Sequence, residues 1–284
     1  MPYDTELAIA SIPFASTSVV FRIFFRLFAT TSEIHTAAIV SAYFGRFPVQ
    51  HARILILPVG EGGVHFGASY GGERGSAIKV LVGQNVSAAE LDKDWIMVHE
   101  MVHLAFPIVA RRHHWIEEGV ATYVESIARL QADRLSPEFV WHGLTRGLPK
   151  GLPGPGDQGL DNTPTWGRTF WGGALFCLLA DIEIHRRTGN RYGLRDALRG
   201  IQTAGGSMDV RWPLLKALEA GDRATGVTVL SELYQQHRNT PVDPDLPALW
   251  QQLGVAMQGD NVNFDDSAAM APIRRAISVA AGDE

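Results

Sequence analysis

The sequence predicts an α+β protein in which a small mixed sheet lobe packs on a mainly helical lobe. Short apolar runs typical of strands occur before about position 85, at residues 53–58 and 76–82. Beyond that position the apolar residues recur at helical spacing, and no internal repeat or heptad is visible. We therefore expect one domain over residues 1–284, with a sheet-containing lobe at 1–85 and a helical lobe at 86–284.

The composition is that of a globular protein. Of its 284 residues, 46% are hydrophobic, which is enough to build a sizeable core. The net charge of −5 gives no broad positive surface, so we expect no nucleic-acid partner. Cys177 is the single cysteine, which excludes an internal disulfide and a cysteine-rich zinc module.

No membrane-spanning segment is predicted. The apolar run at residues 19–28 carries Arg22 and Arg26 and is too short to cross a bilayer. Residues 1–10 contain Asp4 and Glu6 and lack the basic start of a signal peptide, which is therefore either absent or already removed. We expect a soluble protein, and the sequence leaves open whether it is cytoplasmic or exported.

The first half of the chain contains a predicted helix at residues 32–44 and then the two strands. Between the strands, residues 60–75 include seven glycines, which favours tight turns and close backbone approach. A capping box formed by Ser87 and Glu90 predicts a helix that begins at Ala88. Helical spacing of apolar residues continues through Val102, and Pro107 ends this helix.

The second half is predicted to be helical. A helix is expected at residues 117–135, with Pro137 beyond it, and a longer one at 169–188 that stops at Gly189 and Asn190. Residues 148–164 are dense in glycine, proline and aspartate, which is typical of a mobile flap or an inter-lobe connection. Short helices should follow Tyr192.

The motif His99-Glu100-Met101-Val102-His103 predicts a metal site. A four-residue step on a helix places both imidazoles on one face, where they can hold a single zinc ion. The motif also arises by chance on solvated helix faces, but here it lies within a strongly apolar stretch, which favours metal binding. Glu100, next to the first ligand, is the expected catalytic base.

A catalytic zinc ion is held by three protein ligands and leaves one position for a water molecule, which it acidifies. Another element must therefore supply a third ligand. Glu118 is the best candidate and Glu117 its rival, because helix periodicity alone does not separate adjacent residues near an uncertain helix start. The expected chemistry is attack of the activated water on a carbonyl group, with an amide as the default substrate.

The residues that follow the histidine motif carry a family resemblance. They form the pattern Trp115-x-x-Glu118-Gly119-x-Ala121-x-Tyr123-x-Glu125. With His99-Glu100-x-x-His103, this pattern resembles the gluzincin zinc metallopeptidases, specifically the glycyl aminopeptidase family and more distantly the aminopeptidase N family. The resemblance implies a thermolysin-like catalytic domain, one Zn²⁺ ion, a peptide or protein substrate and a peptidase activity, with aminopeptidase action as one form of it.

The resemblance also implies roles for individual residues. The glutamate directly before the glycine is the third zinc ligand in those families, which selects Glu118 over Glu117. The position four residues later often supports a ligand histidine, and here it is Thr122. The segment Tyr70-Gly71-Gly72-Glu73 is similar to a part of the glycyl aminopeptidase family near the substrate cleft.

Two departures from the family pattern limit which family properties can be expected of this protein. Phe170 occupies the place of a tyrosine that stabilises the oxyanion, and a phenyl ring has no donor. The candidates for a replacement donor are Tyr70, His113, His114, Arg168 and Tyr192. The motif Gly-x-Met-Glu-Asn, which grips the substrate's amino terminus, is absent around Gly67-Ala68-Ser69. The alternative function is therefore a catalytically weak or inactive zinc-binding relative that acts as a peptide-binding or interaction module.

Overall fold

The structure is a computed structural model that describes residues 8–14, 17–23, 29–72 and 75–280. It confirms the predicted α+β class. Two compact units are present: Met1–Ile108 with Gly206–Arg211, and Val109–Gly205 with Trp212–Glu284. The division into lobes at 1–85 and 86–284 remains a prediction. The boundary between the two compact units lies farther along the chain, after Ile108.

The first unit contains a hairpin, a three-stranded sheet and three helices. In chain order these are β1 (Ala8–Phe14), β2 (Thr17–Ile23), α1 (Ala29–Phe44), β3 (Ala52–Pro58), β4 (Val64–Tyr70), β5 (Ser76–Val82), α2 (Ala88–Lys93) and α3 (Ile96–His103). The sheet order is β3-β5-β4, with β3 parallel and β4 antiparallel to β5. Helix α3 packs against β4, β5 and α1, so the sheet and α1 enclose its apolar residues.

Strand β4 is missing from the predicted elements, which treat residues 60–75 as turns. The prediction of tight turns is correct at Gly62 and Gly63, whose φ values of 62° and 61° favour glycine. Directly after them, however, the chain becomes extended and pairs with β5. Strand β4 is an edge strand with several exposed side chains, so it lacks the continuous apolar run that identified β3 and β5.

The predicted single helix from Ala88 is interrupted at Asp94. The capping box is confirmed, since the Ser87 hydroxyl accepts from Glu90 N and the Glu90 carboxylate accepts from Ser87 N. Asp94 then turns extended, with ψ of 144°, and its carboxylate accepts a hydrogen bond from Ile96 N at 2.7 Å. Aspartate competes with the helix for local backbone donors in this way, so a second helix, α3, begins at Ile96.

The second unit is helical apart from one hairpin. Its elements are α4 (His114–Gln131), α5 (Pro137–Gly147), α6 (Gly173–Thr188), α7 (Leu194–Thr203), α8 (Leu214–Thr225), α9 (Val229–His237), α10 (Leu246–Leu253), β6 (Val255–Gln258), β7 (Asn261–Phe264) and α11 (Ala271–Ser278). A π-helical turn, Arg168–Gly172, precedes α6. The predicted stop of α6 is confirmed, because Gly189 and Asn190 both have φ of 62°.

Helices α4 and α6 cross at a pair of glycines. A Cβ atom on Gly119 would lie 2.3 Å from the carbonyl carbon of Gly173, and one on Gly173 would lie 2.1 Å from the carbonyl oxygen of Trp115. The two backbones therefore touch with no side chain between them. Farther along, the buried Tyr123 hydroxyl donates to Asp181 at 2.8 Å. Tyr123, part of the pattern after the histidine motif, thus packs α4 onto α6.

The predicted flap at residues 148–164 is held by several internal contacts. It begins with a 3-10 turn, Leu148–Gly151, and the carboxylate of Asp157 lies 2.8 Å from the buried Arg168 guanidinium. The amide of Leu160 donates to the carbonyl of His237 at 2.9 Å. The segment lies entirely within the second unit, so it does not connect the two units. Its glycines and prolines shape a packed loop instead.

We expect the stability of the protein to fall in mildly acidic solution because of His237. Burial, and then the nearby charge of Arg168, lower the pKa of His237 to about 4. Above pH 6.5 this histidine is neutral in both states and contributes nothing. Between pH 6.5 and 4 only the unfolded chain takes up the proton, which should cost up to about 3 kcal/mol of unfolding free energy.

Urea unfolding followed from pH 8 to pH 4, on the parent protein and on His237→Gln, would measure this contribution. The glutamine cannot titrate, so the variant should show a shallower decline across this range. Parallel declines in the two proteins would show that His237 is not responsible.

No helix among the described residues is both long and apolar enough to cross a membrane. Of the apolar run predicted to be too short for this purpose, residues 19–23 lie in β2 and 24–28 lie outside the described residues.

Candidate metal centre

Helix α3 brings the motif residues together in the interior of the first unit. His99, Glu100 and His103 are all buried, with exposed fractions of 5%, 7% and 9%. One ligand atom from each lies within 4.8 Å of the others. The two imidazole rings have centroids 4.8 Å apart and are nearly perpendicular, as expected for successive turns of one helix face. Two imidazoles and a carboxylate this close fit a zinc ion.

Strand β4 fixes the carboxylate of Glu100. The hydroxyl of Ser69 lies 2.6 Å from Glu100 Oε2 and 2.8 Å from the Glu100 carbonyl oxygen, and it can donate to either. Two residues earlier, a Cβ on Gly67 would lie 2.6 Å from Glu100 Cγ and 2.7 Å from Oε1. A glycine is therefore required for the strand to approach this side chain. Ser69 carries no sequence signal for this role, because it lies 31 residues from Glu100.

If the protein is the zinc peptidase that its sequence predicts, replacement of Ser69 by alanine should lower hydrolysis by about tenfold while zinc stoichiometry stays unchanged. A hydrogen bond to a charged group is worth about 1.5–3 kcal/mol, and its loss leaves the Glu100 carboxylate free to turn away. Peptide hydrolysis rates and metal analysis on the same preparations would test this. Ser69→Thr, which keeps the hydroxyl, is the matched control. Equal rates for Ser69→Ala and the parent protein would show that β4 does not orient Glu100.

The carboxylate pair on α4 forms a local hydrogen-bond network with His114. Glu117 accepts from Val109 N at 3.1 Å through Oε1, and its Oε2 lies 2.9 Å from His114 Nδ1. His114 Nε2 lies 3.2 Å from Glu118 Oε1. The hydrogen bond to Glu117, followed by that to Glu118, raises the pKa of His114 to about 10. Both oxygens of Glu117 are thus already engaged within the second unit.

The other predicted site residues are placed as follows. Thr122 lies on α4, and its hydroxyl is buried without a hydrogen-bond partner among the described residues. Tyr70 ends β4 and is 53% exposed. Gly71 packs against Met208, since a Cβ there would lie 2.1 Å from Met208 Cγ. Gly72 follows in open space, and Glu73 lies outside the described residues.

Phe170 lies in the π-helical turn before α6. Its ring stacks on Trp166, with centroids 5.8 Å apart and an interplanar angle of 28°. Among the candidates for a replacement donor, His113 is bonded to Asp161 and Arg168 to Asp157, both in buried contacts. Tyr70 and Tyr192 keep exposed rings. His114 is exposed but is paired with Glu117 and Glu118, so the two tyrosines are the candidates that these contacts leave available.

The sequence and the fold were compared with those of known proteins. No protein-family model matches the sequence, and no curated protein sequence matches it. The fold, in contrast, is similar to that of an aminopeptidase N family protein from Idiomarina loihiensis, with a TM-score of 0.64 and 15% identity, over 89% of this chain and 50% of that chain.

Two structures from Deinococcus radiodurans are also similar. One is an M1 zinc metallopeptidase, with a TM-score of 0.56 and 15% identity, over 85% of this chain and 53% of that chain. The other is a mutant M1 zinc metallopeptidase bound to a Tyr-Ser-Ala substrate, with the same TM-score and coverage at 13% identity. This chain spans about half the length of the structures it matches. The chain therefore has the fold of the M1 zinc metallopeptidases, as its resemblance to the gluzincins predicted.

Proposed function

We propose that this protein is a zinc-dependent peptidase that hydrolyses peptide bonds with a metal-activated water molecule. The observation that carries the proposal is the buried group of His99, Glu100 and His103 on one face of α3. Charged groups and imidazoles are seldom gathered in an interior without a function. The gluzincin-like fold supports the same conclusion.

His99 and His103 would hold the ion, with Glu118 as the third ligand. Support for Glu118 over Glu117 comes from the resemblance to the gluzincins, in which the glutamate directly before the glycine is the ligand. A zinc ion held in this way supplies a polarised carbonyl and an acidified water molecule. Glu100 would take the proton from water and deliver it to the leaving amine, with Ser69 holding the carboxylate in place.

Strand β4 offers a place for an extended peptide. It is an edge strand, and edge strands can pair with a peptide backbone by adding it to the sheet. Residues 67–70 of this strand lie beside Glu100, because Gly67 and Ser69 both contact that side chain. A peptide paired with β4 would therefore bring an amide bond toward the proposed base. Tyr70, Gly71 and Gly72 continue from this strand and are proposed to contact substrate.

The proposal is tested by metal analysis together with a mass-spectrometric cleavage profile on a mixed peptide pool. We expect one zinc ion per chain and cleavage that stops when a chelator removes it. Glu118→Ala should lose zinc, whereas Glu117→Ala, its neighbour on the same helix, should keep it. Retention of zinc by Glu118→Ala would overturn the ligand assignment, and a metal-free protein would overturn the function.

A catalytically weak zinc-binding relative is the second candidate, and Phe170 favours it. Its ring stacks on Trp166 and has no donor for an oxyanion. Peptide binding without cleavage by the zinc-loaded protein would support this candidate. Loss of one oxyanion donor typically costs about a hundred- to a thousandfold in rate, so a slow peptidase would also agree with the structure.

A further inference from the structure

Asp161 is a buried carboxylate that joins three parts of the second unit. Its side chain is 7% exposed. Oδ1 lies 2.8 Å from His113 Nδ1 and 2.8 Å from Trp115 Nε1, and Oδ2 accepts from the Tyr234 hydroxyl at 3.0 Å. Three partners satisfy the buried carboxylate, which explains how an acidic side chain is accommodated in this interior.

The loop that carries Asp161 is fixed by its own backbone. The amide of Asp161 donates to the carbonyl of Arg238 at 3.0 Å, directly after α9. Gly159 has φ of 87°, and a Cβ there would lie 2.5 Å from Thr240 N. The loop is therefore pressed against the chain after α9, which gives Asp161 a firm position.

The first turn of α4 is in direct contact with this carboxylate. Its N-cap residue, His113, makes no side-chain cap hydrogen bond, so the usual fixing of a helix start is absent here. Instead His113 and Trp115 both reach Asp161, and Trp115 also stacks on Tyr234 at 6.4 Å. Trp115 lies three residues before Glu118, less than one turn away. The rotation of this turn about the helix axis thus sets the direction of Glu118.

We propose that Asp161 is a positioning residue for Glu118: it fixes the first turn of α4 and thereby the direction in which the Glu118 carboxylate points. This inference rests on the proposed function, in which Glu118 is a zinc ligand. Asp161 acts through His113 and Trp115 and touches neither metal nor substrate. Groups that orient ligands in this indirect way typically contribute about ten- to a hundredfold to metal affinity.

The test is zinc affinity, measured by competition with a chromophoric chelator on folded protein. Asp161→Leu has a similar shape and no acceptor, and it should weaken zinc binding by about ten- to a hundredfold. Asp161→Asn should restore most of the affinity, because its oxygen can serve His113 and Trp115 while its amide donates to Tyr234. Trp115→Phe keeps the ring, loses the donor and should weaken binding even if Asp161→Leu does not fold.

Asp222→Leu is the matched control. Asp222 is also a buried carboxylate with three hydrogen bonds, accepted from Leu230 N, Ser231 N and Ser231 Oγ, but these fix the start of α9. The Asp222→Leu variant should be less stable than the parent protein and should keep its zinc affinity. Unchanged affinity in Asp161→Leu and Trp115→Phe, or an equal loss in Asp222→Leu, would overturn the role of Asp161. A parent protein that binds no zinc would instead overturn the proposed function.

Discussion

Glu100→Gln is expected to lower peptide hydrolysis by about a hundred- to ten-thousandfold, the range that general acid–base groups contribute. Zinc content should stay at one ion per chain, because the ligands are untouched. The glutamine has nearly the same shape, and its oxygen can still accept from Ser69, so the contact with β4 should survive. It cannot take a proton from water, which is the property that the proposed reaction requires.

Steady-state hydrolysis of a cleaved peptide from the mixed pool, with metal analysis of the same sample, would measure both quantities. His103→Ala is the contrasting variant, since it should lose activity together with zinc. Hydrolysis by Glu100→Gln at the parent rate would remove Glu100 from the mechanism. Loss of zinc in Glu100→Gln would show instead that this residue holds the ion.

Gly119→Ala is expected to destabilise the protein by about 1–3 kcal/mol, the range for overpacking a tight interior. The added methyl group would lie 2.3 Å from a backbone carbon of Gly173, so α4 and α6 must separate. Neither helix can relieve this overlap by a change of side-chain rotamer. The unfolding free energy from urea titration is the appropriate measurement.

Gly143→Ala provides the opposite case in the same unit. Gly143 lies within α5, and a Cβ there meets nothing within 4 Å. Alanine is the better helix former by up to about 1 kcal/mol, so this variant should be slightly more stable than the parent protein. A Gly119→Ala variant as stable as the parent would show that the helix crossing tolerates a wider separation.

The grouping of His99 and His103 on α3 could be predicted because it is local. A step of four residues on any helix brings His99 and His103 to one face, whatever the rest of the chain does. The contact between Ser69 and Glu100 depends on strand β4 packing against α3, and no pattern in the sequence around Ser69 predicts that contact. The close approach of α4 and α6 at Gly119 and Gly173 could not be predicted for the same reason. Each glycine is required only because the other lies beside it in the fold.

Helix α5 is missing from the predicted elements, and the omission has a local cause. Pro137 indicates the end of a helix, yet it occupies the first turn of α5, where its missing N–H is not needed. Ser136 caps that helix by accepting from Phe139 N at 3.2 Å. A Ser-Pro pair such as Ser136 and Pro137 can therefore follow the end of one helix or begin another. The spacing of apolar residues does not distinguish the two possibilities.

The interruption at Asp94 has a consequence for local opening of the native state. Helix α2 is short and largely exposed, so its amides should exchange with solvent through frequent fraying. Because Asp94 is extended, the hydrogen-bond ladder does not run on from α2 into α3. We therefore expect fraying of α2 to stop at Asp94 and to leave the turns that carry His99 and His103 closed. The amides of these two histidines should exchange more slowly than those of α2.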